Sequence, residues 1–108
     1  MKIVGITACP TGIAHTYITK QKLIDAAEAL GHTCHIETQG SIGAEDELTP
    51  EEIAEADIAI LAVDVKITGE DRFAHTPTVK VPTEIVMRDA TGLIKTVEAK
   101  LRAAGRIA

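Results

Sequence analysis

Residues 2–18, KIVGITACPTGIAHTYI, decide the fold. Residues 2–7 are short, β-branched and apolar, which predicts a buried strand. Small residues end it, and a helix is predicted to begin near Gly12 or Ile13. Between the two lies a segment with a cysteine, a proline, a glycine and threonines. That set is unusual for a packed core. It suits a loop that holds something small and negatively charged.

The rest of the chain extends this strand–loop–helix start. Apolar positions Ile13, Tyr17, Ile24, Ala27 and Leu30 recur at helical steps, and Gly31 is placed to end the helix. Residues 32–38 read as a second, more polar strand near an edge, and residues 39–43 as a loop. Thr49, Pro50 and Glu52 spell a helix start: a capping hydroxyl, a proline at the first helical position, and a glutamate for a capping box. Residues 57–63, DIAILAV, form the most apolar run and read as a central parallel strand buried on both faces. Residues 64–76 read as a loop. Residues 78–83 form a weak last strand, where Pro82 argues for an edge or a strand end. Residues 91–104 read as the final helix, with Ile94, Val97, Leu101 and Ala104 on one face.

Strands alternating with helices predict a single α/β domain over residues 1–108: a small doubly wound, three-layer α/β/α fold with a four-stranded parallel sheet in the order 2-1-3-4. Ligands of such sheets bind beyond the carboxyl ends of the strands, where the winding reverses. Here that point lies between the first and third strands. The Cys9 loop forms one wall of the crevice, and Asp64 with residues 69–73 another.

Composition narrows the function. The chain has 108 residues, one tyrosine, one phenylalanine and no tryptophan, so Ala, Val, Ile and Leu must build the core. Net charge is −5, and residues 37–57 carry eight acidic side chains and no lysine or arginine. Such a surface repels a phosphate backbone, so nucleic acid is not an expected partner. No signal peptide or membrane-length apolar run is visible, and two cysteines without a secretory context point to a reducing cytoplasm.

Cys9 is expected at the amino end of a helix, where unpaired N–H groups and the helix dipole favour thiolate. The same N–H groups can cradle a phosphoryl group. Thr11 and Thr16 add hydroxyl donors, Gly12 allows close backbone approach, and Pro10 stiffens the turn. Nucleophile and anion cradle thus come from one segment. His15, six residues after Cys9, stands where cysteine phosphatases of this layout place an arginine. A histidine there can donate one hydrogen bond or do acid/base work, and its presence favours a carrier over a phosphatase. Cys34 has no Cys-x-x-Cys relation to Cys9 and reads as structural. His32 and Cys34 face one side of a strand and His35 the other, so no metal site is expected. No cofactor is called for. The readings left open are a phosphoryl carrier, a low-molecular-weight type phosphatase and a phosphorylation-sensing regulatory module.

TACPTGIAHTYI at 7–18, ETQGSIG at 37–43 and DVKITGEDRF at 64–73 together resemble the fructose-type IIB component of the bacterial sugar phosphotransferase system (PTS). The resemblance runs in order along nearly the whole chain and implies a stand-alone IIB unit. It implies that a phosphohistidine on a IIA partner donates its phosphoryl group to Cys9. Cys9 then passes the group to a fructose-like sugar held by a membrane IIC permease. Pro10, Thr11, Gly12, Ile13, Ala14, His15 and Thr16 match the phosphate-binding loop. Asp64 and Arg72 are secondary candidates, and Phe73 reads as a loop anchor. The implied location is the cytoplasm, peripherally associated with the permease. Residues 82–89 depart most from the family pattern.

Overall fold

The computed structural model of the chain describes residues 1–9, 14–40 and 43–105, and the side chains of residues 14 and 15 fall outside that description. The elements are β1 (Lys2–Ala8), α1 (Ala14–Ala29), β2 (Thr33–Gly40), β3 (Gly43–Glu45), α2 (Pro50–Glu55), β4 (Ile58–Val63), a 3₁₀ turn (Glu70–Phe73), β5 (Thr78–Val81) and α3 (Thr83–Ala103). The strands form one sheet in the order β3-β2-β1-β4-β5. β2, β1, β4 and β5 are parallel, in the order expected from the sequence, and β3 adds an antiparallel edge.

The fifth strand corrects the expected count of four. Gln39 and Gly40 continue β2 rather than entering a loop, and Gly40 pairs with Gly43. Three residues, Gly-Ala-Glu, carry no alternation from which a strand can be read. Because β3 covers β2, the polar second strand sits one place in from the edge.

Two apolar layers cover the sheet. Ile3, Ile36, Ile58, Ile60 and Ala62 pack beneath α1 and α3, against Leu23, Ala27, Val86, Ile94 and Val97. Val4, Ile6, Leu61 and Val63 pack on the other face against Leu48, Ile53, Ile67 and Phe73. All six residues of β4 are buried, as its unbroken apolar run requires. Gly5 lets β1 and β4 pack closely: a Cβ there would lie 2.2 Å from the Ile60 carbonyl oxygen.

The helix ends follow local chemistry. Thr49 accepts a hydrogen bond from the Glu52 N–H and Glu52 accepts one from the Thr49 N–H, completing the capping box. Gly31, at φ 82°, ends α1 in the left-handed conformation. Pro82 directly follows the edge strand β5 and caps α3. α3 begins at Thr83, earlier than the helix at 91–104, and breaks at Asp89 (φ −159°, ψ 74°). There the Asp89 carboxylate accepts the Gly92 N–H and restarts the helix.

The buried face of α1 holds Ala27 as expected, with Ile24 and Leu30 packed against the core, but it does not include Tyr17, and Ile13 lies outside the described residues. Thr16, Thr19, Leu23, Ala26 and Ala27 are buried, while Tyr17 and Ile18 are exposed. Threonines replace aliphatic side chains where the helix crosses the end of the sheet. Thr7 Oγ1 donates to the Thr16 carbonyl there.

Candidate functional site

Cys9 follows the last residue of β1, at the carboxyl end of the parallel strands. From β1 the chain winds to β2 on one side and later returns to β4 on the other, so Cys9 stands at the reversal point. Thr7 is level with Thr38 on β2 and Ala62 on β4. Ala8 is level with Val63, so Asp64, the residue after β4, flanks Cys9. The Asp64 N–H donates to the Ala8 carbonyl at 2.9 Å.

The Cys9 thiol is 5% exposed and turns to the α1 side, where its Sγ lies 3.3 Å from Thr16 Oγ1. Thr16 is in the first turn of α1, so the thiol meets the amino end of a 16-residue helix. Either atom can donate in that contact; once the sulfur is anionic, the Thr16 hydroxyl can donate to it at the positive end of the helix dipole. Cys34 contrasts with this: burial, and then the charge of Glu28, push its thiol up to about 12, which keeps it protonated and inert at neutral pH.

Of the sequence-predicted loop, Cys9 and Thr16 are brought together. Pro10, Thr11, Gly12 and Ile13, and the side chains of Ala14 and His15, lie outside the described residues. Asp64 and Arg72 have structural partners. The Asp64 carboxylate accepts from the Thr83 N–H at 2.9 Å and from the Thr83 hydroxyl, tying the end of β4 to the start of α3. Arg72 points to the opposite sheet face, where Nη1 and Nη2 grip the Glu37 carboxylate at 2.9 and 3.0 Å and Nε donates to the Gly69 carbonyl. Phe73 is buried in that face and carries the Arg72 guanidinium 5.4 Å above its ring.

Glu37 is a group that the sequence reading did not single out. It is 1% exposed and accepts four hydrogen bonds, two from Arg72, one from the Leu48 N–H and one from Gln39 Nε2. Burial alone would raise its pKa, but the Arg72, Gln39 and Leu48 hydrogen bonds outweigh it and hold the carboxyl below its ordinary value. Gln39 in turn accepts the Thr68 N–H and donates to the Thr68 carbonyl, both at 2.9 Å. The sequence carried no clear signal for it: in a strand read as polar and near an edge a glutamate passes for a solvent-facing residue, whereas the fold buries Glu37 with Ile36 and Thr38.

His32 bonds Glu98, whereas His35 bonds Glu52 on the other sheet face, as strand alternation requires. Among the described residues no cluster of histidine, cysteine and carboxylate side chains could hold a metal ion. Exposed large apolar side chains gather at the Cys9 end: Tyr17 and Ile18 in the first turns of α1, Val65 beyond β4 and Ile85 in the first turn of α3.

Residues 4–96 match the family described as "PTS system, Lactose/Cellobiose specific IIB subunit". The chain belongs to the IIB family of the PTS. Its relatives carry fructose-type names. "PTS system fructose-like EIIB component 2" of Escherichia coli K12 is 45% identical over 100 residues, covering 93% of this chain and 94% of that protein. "Fructose-like PTS system EIIBC component", also of E. coli K12, is 53% identical over 72 residues, 67% of this chain but 15% of its own length. Among solved structures, the enzyme IIB subunit of the PTS from E. coli K12 superposes with a TM-score of 0.91 at 35% identity, covering 96% of each chain. A domain of the fructose-specific IIABC component of Borrelia burgdorferi gives 0.81 at 46% identity, covering 86% of this chain and 88% of that one. This IIB chain therefore has a fructose-type PTS fold along nearly its whole length. Among the described residues, no helix is long and apolar enough to cross a membrane.

Proposed function

We propose that this IIB chain is the phosphoryl carrier of a fructose-type sugar phosphotransferase system, with Cys9 as its phosphorylated residue. The observation that carries the reading is the Cys9 thiol at the reversal point of the sheet, 3.3 Å from the Thr16 hydroxyl at the start of α1. In the first step the Cys9 sulfur attacks the phosphorus of a IIA phosphohistidine. The P–N bond breaks, the P–S bond forms, and the imidazole leaves with its electron pair. In the second, a hydroxyl of a fructose-like sugar held by a membrane IIC component attacks that phosphorus. The P–S bond breaks, the thiolate is regenerated, and the hydroxyl proton passes to a base on the sugar-binding side.

Each step starts from a labile phosphoryl bond, P–N in the first and P–S in the second, so the domain's task is positioning and charge stabilisation. Pro10, Thr11, Gly12, Ile13, Ala14, His15 and Thr16 are assigned to the cradle around the transferring oxygens. Asp64 and Arg72 support that site by fixing the loop beside it. The exposed Tyr17, Ile18, Val65 and Ile85 give a partner an apolar landing zone around the thiol. Relatives that carry the IIB region within an EIIBC chain support a membrane IIC partner, with the domain working at the cytoplasmic side.

The test is a discharge experiment. Phosphorylated chain is mixed with membranes containing a fructose-type IIC, with and without fructose. Sugar-dependent loss of protein-bound phosphate, matched by sugar phosphate, is the expected result. Phosphate released to water at the same rate without sugar would instead make the domain a phosphatase.

A further inference from the structure

Residues 64–68 bridge two anchors. At one end the Asp64 N–H is bonded to Ala8 and its carboxylate to Thr83. At the other, Ile67 is buried in the core and Thr68 is bonded through both its N–H and its carbonyl to the Gln39 amide. A side-chain amide bonded in this two-way fashion imitates a neighbouring strand. Gln39 is itself fixed, because its Nε2 also donates to buried Glu37, which grips Arg72 further along the same loop. Between the anchors, Val65 and Lys66 are exposed, immediately beyond the residue that flanks Cys9. Lys66 forms no ion pair among the described residues. An apolar and a cationic side chain are thus held on an exposed ridge at the lip of the thiol site.

We propose that Gln39 is a positioning residue for phosphoryl transfer: with Glu37 behind it, it holds the Val65–Lys66 ridge in the shape that docks the phosphorylated donor protein against Cys9. This rests on the carrier reading above. Gln39 lies on β2 and does not act on the sulfur. Its effect passes through the loop, and pre-ordering that loop removes an ordering cost from each encounter.

The test follows phosphocysteine formation on the wild type and on Gln39→Ala while the concentration of phosphorylated fructose-type IIA is varied. Alkylation of Cys9 by iodoacetamide is measured in parallel. The expected result is a rise of about tenfold in the half-saturating donor concentration, equivalent to one loop-ordering increment. The maximal rate and the alkylation rate should stay within about twofold. Lys66→Glu, on the exposed ridge itself, raises the half-saturating concentration in the same way and keeps the test sound if Gln39→Ala folds poorly. Unchanged half-saturation in either folded variant, or a parallel fall in alkylation, would overturn the inference while leaving the carrier reading intact. A wild-type chain that takes no phosphate from an active donor would overturn both.

Discussion

Replacing Glu37 by glutamine changes one oxygen of a buried carboxylate into an amino group. In the wild type one carboxylate oxygen takes the Leu48 N–H and Arg72 Nη1, and the other takes Arg72 Nη2 and Gln39 Nε2. A glutamine carbonyl can keep one of these pairs, and its NH2 then faces two donors. Two hydrogen bonds are lost, both made to an ionised carboxylate and one of them also from the charged Arg72. At about 1–3 kcal/mol each, reduced because Arg72 can recover water, the loss comes to about 2–3 kcal/mol at pH 7. Arg72 is positioned for that recovery, with its side chain 29% exposed.

The pH dependence gives the sharper signature. The folded carboxyl titrates below its unfolded value, so its contribution is complete above the unfolded range, near pH ~4.3, and is lost as pH falls through the folded value. The gap between wild type and Glu37→Gln should therefore be widest near neutrality and close in acid. The assay is urea unfolding followed by far-ultraviolet circular dichroism, since the chain has no tryptophan. At pH 7 the midpoint should fall by about 2 M. Equal midpoints at pH 7, or a gap that persists unchanged into acid, would refute the reasoning.

Three further outcomes follow from the packing. Gly5→Ala drives a methyl to within 2.2 Å of the Ile60 carbonyl oxygen, so it should destabilise the domain by about 3 kcal/mol or more in the same assay. Thr49→Ala removes the hydroxyl of the α2 capping box and should cost about 1 kcal/mol, read from the thermal midpoint. Thr38 Oγ1 is buried and has no hydrogen-bond partner among the described residues, so Thr38→Val should be neutral or stabilise by up to about 1 kcal/mol, and a clear loss would reveal a bridging water.

Much of the architecture was legible because each main strand has a distinct signature. β4 is an apolar run because both its faces are covered, and β1 is short, β-branched and followed by a small-residue loop. Thr49, Pro50 and Glu52 announced α2 through local bonds alone. β3 escaped because three residues offer no period, and the α1 face was legible at Ala27, Ile24 and Leu30 but not at its start, where threonines are buried and Tyr17 is not. Tyr17 instead sends its hydroxyl to Glu45. Cys9 and Thr16 were both legible, one as the thiol after β1 and the other as a hydroxyl donor near the start of the helix, and their side chains meet at 3.3 Å. The Gln39–Thr68 and Glu37–Arg72 contacts join residues 29 and 35 positions apart, so only the folded sheet brings them into register.

Intact-mass spectrometry shows whether Cys9 carries the phosphoryl group. Wild type and Cys9→Ala are incubated with phosphoenolpyruvate, the general phosphotransferase proteins and a fructose-type IIA. The wild type is expected to gain the mass of one phosphoryl group, and a folded Cys9→Ala variant to gain none. An adduct that survives in Cys9→Ala, or none on the wild type with a donor proven active, would contradict Cys9 as the phosphorylated residue.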